Sequence, residues 1–370
     1  MKLSFIVFFF FFSVMLFSQK TNISGRISGF KDGTEVFLGD LEIGDVIQKS
    51  KIKNNKFTFQ NPSTYESKKL YLDIKEDTTY YSMFFYIDNK SVTISGDKKD
   101  FPEKILVSGS KSYDENKLFE KGYEKLQNKW DSINNLIGEK SNDSLKYKKE
   151  EIDFDRLNRS NIDRQIDIFK ISYIKSQPNT YRSVMELFYL KDKIGKEEVG
   201  KLYTLLDDKL KQTDDGKAIK VYLELEKVLQ EGDYFEDFQA KDSNGIPHKL
   251  SDYKGKYILL DFIQTYCYAC ILSNDDLKKI DDKYKDVVQI VTFCGDKTEK
   301  TWKEGYMEHK IKWVSLWNGE GIGGRISQLY GTDGTPTFIL INPDGKIIKK
   351  EFGYSEGKLD AILQELINKK

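Results

Sequence analysis

Apolar positions along this chain follow three rhythms in succession, and each predicts a different kind of structure. From Ile23 to about Val107 they come in short runs: Thr34-Glu35-Val36-Phe37-Leu38, Lys56-Phe57-Thr58-Phe59, Met83 to Ile87 and Ser91-Val92-Thr93-Ile94. Asn54-Asn55 and Asp88-Asn89-Lys90 stand before or between them as turn formers. Branched and aromatic runs punctuated in this way predict strands, so residues 20–110 are expected to form a small all-β domain, a sandwich or barrel.

Across residues 111–230 the period lengthens. Phe119, Tyr123, Leu126, Trp130, Ile133 and Ile137 recur at alternating spacings of four and three, and Ile162, Ile166, Phe169 and Tyr173 repeat the pattern. Such spacing places them on one face of a helix. The residues between are mostly Lys, Glu, Asp and Asn, so an antiparallel helical bundle with a solvated charged face is expected. Gln177-Pro178-Asn179 interrupts the run, since proline ends or kinks a helix.

Over residues 233–370 strands and helices alternate. Lys256 to Ile263 and Val287 to Phe293 are nearly continuous apolar runs, as strands buried on both faces are. Helices are expected from Tyr268 to about Lys283, from Thr298 to His309 and from Lys358 to Ile367. Thr337–Ile341 and Lys346–Lys350 flank the turn Asn342-Pro343-Asp344-Gly345. The result is a β-α-β unit, then a β-hairpin and a closing helix: a carboxy-terminal α/β domain in a multidomain chain.

The first residues fit none of these rhythms. Lys2 is followed by an apolar run from Phe5 to Phe17, then Ser18 and Gln19. The run is shorter than the ~20 residues of a spanning helix. It therefore reads as a signal peptide over residues 1–18 rather than an anchor. No Cys stands near the cleavage point, so no lipoprotein anchor is expected. The mature chain is expected to be exported, to the periplasm.

Charge narrows the partners. Lys plus Arg and Asp plus Glu number 59 each, which argues against nucleic acid, whose binders carry a basic excess. Of the three cysteines, Cys267 and Cys270 lie three positions apart. Closing so small a loop stabilises a fold by roughly 2 kcal/mol, against about 4.7 for a loop of ~100 residues. The pair is better suited to chemistry than to stapling.

That pair, Cys267-Tyr268-Ala269-Cys270, falls where a strand gives way to a helix. Unpaired amides and the positive end of the macrodipole there favour a thiolate, so Cys267 is expected to be the nucleophile. Cys270, one turn on, is the expected resolving thiol. Asp261 sits inside the run Ile258-Leu259-Leu260-Asp261-Phe262-Ile263. A desolvated carboxyl there would have a raised pKa and could relay the proton of Cys270; equally, it could be a strand-end polar group satisfied by water or backbone. Pro336, in Gly334-Thr335-Pro336-Thr337-Phe338, is expected to open a strand. With cis X–Pro bonds at about 5–6% in folded proteins, periodicity alone leaves it trans.

Taken in order, Asp261-Phe262, Tyr266-Cys267-Tyr268-Ala269-Cys270 and Thr335-Pro336-Thr337 resemble the TlpA/ResA-like branch of the thioredoxin superfamily. The lead-in Leu250-Ser251-Asp252-Tyr253-Lys254-Gly255-Lys256 and the exit Phe338 to Lys346 resemble it too. The likeness covers roughly residues 235–366. The earlier region, with Ile23-Ser24-Gly25-Arg26-Ile27, is similar to an uncharacterised β-domain fused ahead of such thioredoxins. The resemblance implies that Pro336 is cis and lies against the Cys pair, that Thr335 offers its backbone to substrate, and that Asp261 is the acid–base. It implies a thiol reductant acting on protein disulfides, in some members for cytochrome c maturation, supplied with electrons by a membrane thiol shuttle. The redox-active disulfide is then the only prosthetic group expected, with no metal. Tyr266, Ala269 and Ile271 stand where the family usually has Trp, Pro and a basic residue. Tyr266 still supplies an aromatic wall beside the thiolate. The absence of His between the cysteines tilts the expected direction towards reduction.

The remaining chemistry-bearing residues fit this picture less closely. Cys294, at the carboxyl end of the second buried run, could be a third thiol at the site; a buried, inert Cys is the commoner case. A Cys₃His zinc set from Cys267, Cys270, Cys294 and His309 matches no usual spacing. His248 and His309 have no context of a catalytic base. Two alternatives remain. One is a binding or assembly module with an accessory redoxin. The other is a peroxiredoxin-like peroxidase, disfavoured because no Pro-x-x-x-Thr-x-x-Cys precedes Cys267.

Overall fold

The strands of the first unit are β1 (Asn22–Ser28), β2 (Glu35–Asp40), β3 (Asp45–Lys51), β4 (Lys56–Gln60), β5 (Lys68–Glu76), β6 (Thr79–Ile87), β7 (Val92–Asp97) and β8 (Leu106–Ser108). This computed structural model describes residues 22–41, 45–62, 67–88, 90–142, 146–332 and 334–368; the expected leader lies outside them. Alternation sends Phe57 and Phe59 of β4 inward and leaves Lys56, Thr58 and Gln60 outside. Two four-stranded sheets form, ordered β4-β1-β7-β8 and β3-β2-β5-β6. Ile23, Ile27 and Ile94 of the first meet Leu38, Leu72 and Phe85 of the second in one core. The unit is a sandwich. Asn54 and Asn55 both take positive φ, 52° and 61°, at the β3–β4 turn, a conformation asparagine tolerates better than most residues. Gly25 of β1 is required by packing: a Cβ there would fall 2.0 Å from the Phe57 ring.

The helical layer holds α1 (Lys111–Asn142), α2 (Lys149–Ser176), α3 (Tyr181–Ile194), α4 (Lys196–Leu205), α5 (Asp208–Lys211) and α6 (Asp214–Glu224). The two predicted stripes pair in the α1–α2 hairpin, where Phe119 and Tyr123 pack on Phe169. Beyond that cluster Leu126, Trp130 and Ile133 are only half-buried. After the break at Pro178, Thr180 caps α3, its hydroxyl accepting from the Ser183 N–H at 3.2 Å. Val184, Leu187 and Leu190 make α3 the centre of the layer. It is anchored on both sides. Tyr181 packs its ring 5.9 Å from that of Tyr86 in the sandwich, and the Lys111 N–H donates to the Asp88 carboxylate. On the other side Asp214 pairs with Lys297, and Leu225 and Leu229 enter the core of the last domain.

That domain runs β9 (Gln239–Lys241), β10 (Pro247–Lys249), β11 (Tyr257–Ile263), α7 (Tyr268–Tyr284), β12 (Val288–Cys294), α8 (Glu299–Glu308), β13 (Val314–Leu316), α9 (Arg325–Leu329), β14 (Thr337–Ile341), β15 (Ile347–Phe352) and α10 (Lys358–Asn368). Its central sheet is ordered β13-β12-β11-β14-β15. β11 pairs parallel with β12 and antiparallel with β14. Leu277, Ile280 and Leu363 pack on one face and Leu329 with Tyr330 on the other. This is the thioredoxin-like arrangement. It differs from expectation in detail: β12 extends through Cys294, Pro336 precedes β14 rather than opening it, and β13 and α9 are too short to show a period. Among the described residues no helix is long and apolar enough to cross a membrane.

Candidate active site

β11 ends at Ile263, the chain crosses Gln264-Thr265-Tyr266, and α7 begins at Tyr268 with Cys267 as its N-cap. An N-cap side chain faces the unpaired amides of the first turn. Here the backbone N–H of Cys270 donates to Cys267 Sγ at 3.2 Å. The two cysteines form a disulfide, their Cα atoms 5.2 Å apart. They are not equivalent. Cys270 is 4% exposed and belongs to the core beneath α7, whereas Cys267 is half-buried beside the exposed rings of Tyr266 and Tyr268.

The loop before β14 reaches the same place. Cys267 Sγ lies 3.3 Å from the carbonyl oxygen of Thr335, and the Thr335–Pro336 bond is cis, as the family resemblance implies. The Thr337 hydroxyl donates to the Gly334 carbonyl at 2.8 Å, and the Gly353 N–H to the Pro336 carbonyl at 2.9 Å. Both bonds hold this loop against the cysteines.

Asp261 lies in the middle of β11, 1% exposed. Along the strand Leu259 and Ile263 belong to the core that contains Cys270, so alternation turns Asp261 towards the same layer. Burial pushes its carboxyl up to about 7, against a lowering hydrogen bond from Thr292. That bond, 3.2 Å from the Thr292 hydroxyl to Oδ2, leaves buried Oδ1 without a partner among the described residues. Trp313 Nε1 in turn donates to the Thr292 hydroxyl at 2.8 Å. The strand-end reading of Asp261 does not hold, since the residue is interior and its environment apolar.

A second carboxylate braces the loop from below. Asp296 accepts from the Thr265 N–H at 3.1 Å and from its hydroxyl at 2.6 Å. It also accepts from the Cys294 thiol at 3.1 Å. Cys294 is 1% exposed, and burial followed by the charge of Asp296 pushes its thiol well above the usual range. It pairs in register with Ile263, near the active loop yet ill-suited to ionise. His309 Nε2 lies 3.2 Å from the Thr265 carbonyl, and His248 contacts Asp242 and Tyr253 in the β9–β10 region. Among the described residues no group of three or more His, Cys, Asp and Glu is placed to hold a metal.

The structure thus places the thiols and the Thr335-Pro336 loop singled out from the sequence side by side, and Asp261 in the core layer that holds Cys270. Sequence reasoning passed over their neighbours Thr292, Trp313 and Asp296. A signal existed for two of them. Thr292 interrupts an apolar run as Asp261 does, and Asp296 follows the end of β12, where open sheets gather their functional groups.

Residues 230–366 match the Redoxin family model and residues 21–116 match a domain of unknown function, DUF4369. The thiol-disulfide oxidoreductase ResA of one Bacillus cereus strain is 29% identical over 147 residues, 39% of this chain and 83% of that protein. The ResA of a second Bacillus cereus strain is 30% identical over 141 residues, 37% of this chain and 79% of its own length. Among solved structures, the thioredoxin domain of a thiol-disulfide oxidoreductase from Bacteroides vulgatus is 28% identical, covering 38% of this chain and 99% of its own, with a TM-score of 0.35. With a 30% identical relative spanned over more than two thirds of its length, this chain belongs to the TlpA/ResA-like family of thioredoxin-fold thiol-disulfide oxidoreductases.

Proposed function

We propose that the protein reduces disulfides of exported proteins, outside the cytoplasm, with Cys267 as nucleophile and Cys270 as resolving thiol. The carrying observation is the asymmetry of the pair: one sulfur reachable at a helix N-cap and facing an amide, the other enclosed beneath it. In the reduced protein the Cys267 thiolate attacks one sulfur of the client disulfide. A mixed disulfide forms and the other client sulfur leaves as thiolate. Cys270 then gives up its proton, with Asp261 as acceptor, and its thiolate attacks Cys267 Sγ. The Cys267–Cys270 bond closes, the second client sulfur is released, and two electrons have passed to the client. Thr335 and Pro336 line the approach to Cys267, and Tyr266 walls it. A membrane thiol shuttle would return the two electrons. The apolar leader read from Phe5 to Phe17 supports export.

Insulin reduction tests the chemistry. The wild type is expected to reduce insulin, Cys267→Ser to be inactive, and Cys270→Ser to accumulate mixed disulfides that identify the clients. Insulin reduction surviving in Cys267→Ser would overturn the assignment. Recovery of the mature protein in the cytoplasmic fraction would overturn the location.

A further inference from the structure

The outer face of the sandwich sheet β3-β2-β5-β6 stands opposite the Cys pair. Tyr71 and Asp73 of β5 and Phe84 of β6 point away from their own core and line one cavity of about 500 Å³ together with Tyr266 and Cys267. Phe84 is 59% exposed and Tyr266 52%, so two large aromatic residues from different domains remain open to solvent around the reactive sulfur. Exposed apolar surface of this kind marks interaction sites. The wall is held in place: further along β6, Tyr86 is buried against Tyr181 and Met185 of α3, and α3 belongs to the layer that also grips the redox domain. Within the wall, the Tyr71 ring lies across Gly39, where a Cβ would come within 1.7 Å of it.

From this juxtaposition we infer that the sandwich is the second wall of the client cleft. It selects an extended polypeptide that carries an apolar residue on one side of its cysteine and a basic residue on the other. The inference deepens the proposed reductase function and rests on it. A cavity of about 500 Å³ lies within the ~300–1,000 Å³ of ligand pockets and leaves room for the residues flanking the client sulfur. Phe84, Tyr71 and Tyr266 offer the apolar contact. Among the described lining residues the carboxylates are Asp73 and Asp296, and none is Lys, Arg or His. Lys69, on the same face of β5, holds its ammonium 5.5 Å from the Phe84 ring at the edge of the wall. Asp296 is committed to Thr265 and Cys294. Asp73 forms no ion pair among the described residues and supplies the charge that a basic client residue would meet.

The test is single-turnover reduction of short peptide disulfides by the pre-reduced full-length protein. The residue beside the peptide cysteine is Leu, Ser, Lys or Glu, and each variant is read as a ratio of rate constants, which does not depend on its active fraction. The wild type is expected to prefer Leu over Ser by about 10-fold, the scale of burying one apolar side chain, and Lys over Glu. Phe84→Ser should bring the Leu/Ser ratio to within about 2-fold, and Asp73→Lys should reverse the Lys/Glu preference. If both variants kept the wild-type ratios, the sandwich would have no part in client choice. Hydroxyethyl disulfide separates the two readings. Its reduction by Cys267→Ser would remove the catalytic assignment on which the cleft rests. Its loss in Cys267→Ser, together with unaltered ratios in the sandwich variants, would remove the cleft alone.

Discussion

Thr292 donates its hydroxyl to the Asp261 carboxylate at 3.2 Å across paired positions of β11 and β12. Among the described residues it is the one hydrogen bond opposing the upward push of burial on that carboxyl, which is raised from 3.8 to about 7. Below pH 3.8 Asp261 is protonated whether the chain is folded or not. Between there and 7 the unfolded chain gives up the proton while the folded one keeps it, so folding stability falls as pH rises through that window. Asp261→Asn should flatten this part of the profile, read as urea midpoints of the oxidised protein from pH 4 to 8.

Asp261 also predicts a kinetic signature. Only its ionised form accepts a proton, so resolution of a mixed disulfide should accelerate as pH rises through about 7. In Asp261→Asn the rise should move up to the range of a free thiol, with the rate near neutrality reduced at least ~10²-fold. Stopped-flow release of a chromogenic thiol measures both.

Removing the Thr292 hydroxyl acts on two groups at once. Thr292→Val deprives the Asp261 carboxyl of its lowering bond and leaves Trp313 Nε1 without its acceptor. The pH profile of resolution should shift alkaline. The buried indole N–H should cost about 1–3 kcal/mol in denaturant stability.

Cys294 should be silent in the native protein. Buried, and held above the usual thiol range by burial and by Asp296, it should resist iodoacetamide at neutral pH while Cys267 of the reduced protein reacts. Mass spectrometry should find Cys294 labelled only after denaturation.

Gly305 of α8 sits directly behind the active loop. A Cβ there would lie 2.2 Å from the Thr265 hydroxyl oxygen, the atom that donates to Asp296. Gly305→Ala should destabilise the protein by about 1–3 kcal/mol, as overpacking does, and slow the attack of Cys267. Thermal melts and alkylation rates separate the two effects.

Long apolar runs and a local motif made much of this molecule legible from its residues. β11, α7 and the Cys267/Cys270 pair follow from one stretch in which a buried strand meets a helix start. The Phe119 and Phe169 stripes likewise announce the α1–α2 hairpin. What escaped is non-local. Three-residue β13 carries no period, and Trp313 beside it reaches Thr292 only once the sheet is assembled. Tyr71 and Phe84 look like ordinary outward positions of alternating strands. Only the placement of the sandwich by α3 brings them over a cysteine far along the chain.

Leu225 and Leu229 belong to the helical layer in sequence and to the redox domain in space. They share a core with Phe238, Leu329 and Tyr330, and the Leu229 N–H donates to the Leu329 carbonyl at 2.8 Å. The redox unit is thus not a cassette that can be snipped out where its first strand begins. A fragment starting at residue 233 would carry an open apolar notch, forfeiting roughly 1.5–3 kcal/mol for each missing leucine. One starting a few residues before Leu225 would carry its own plug.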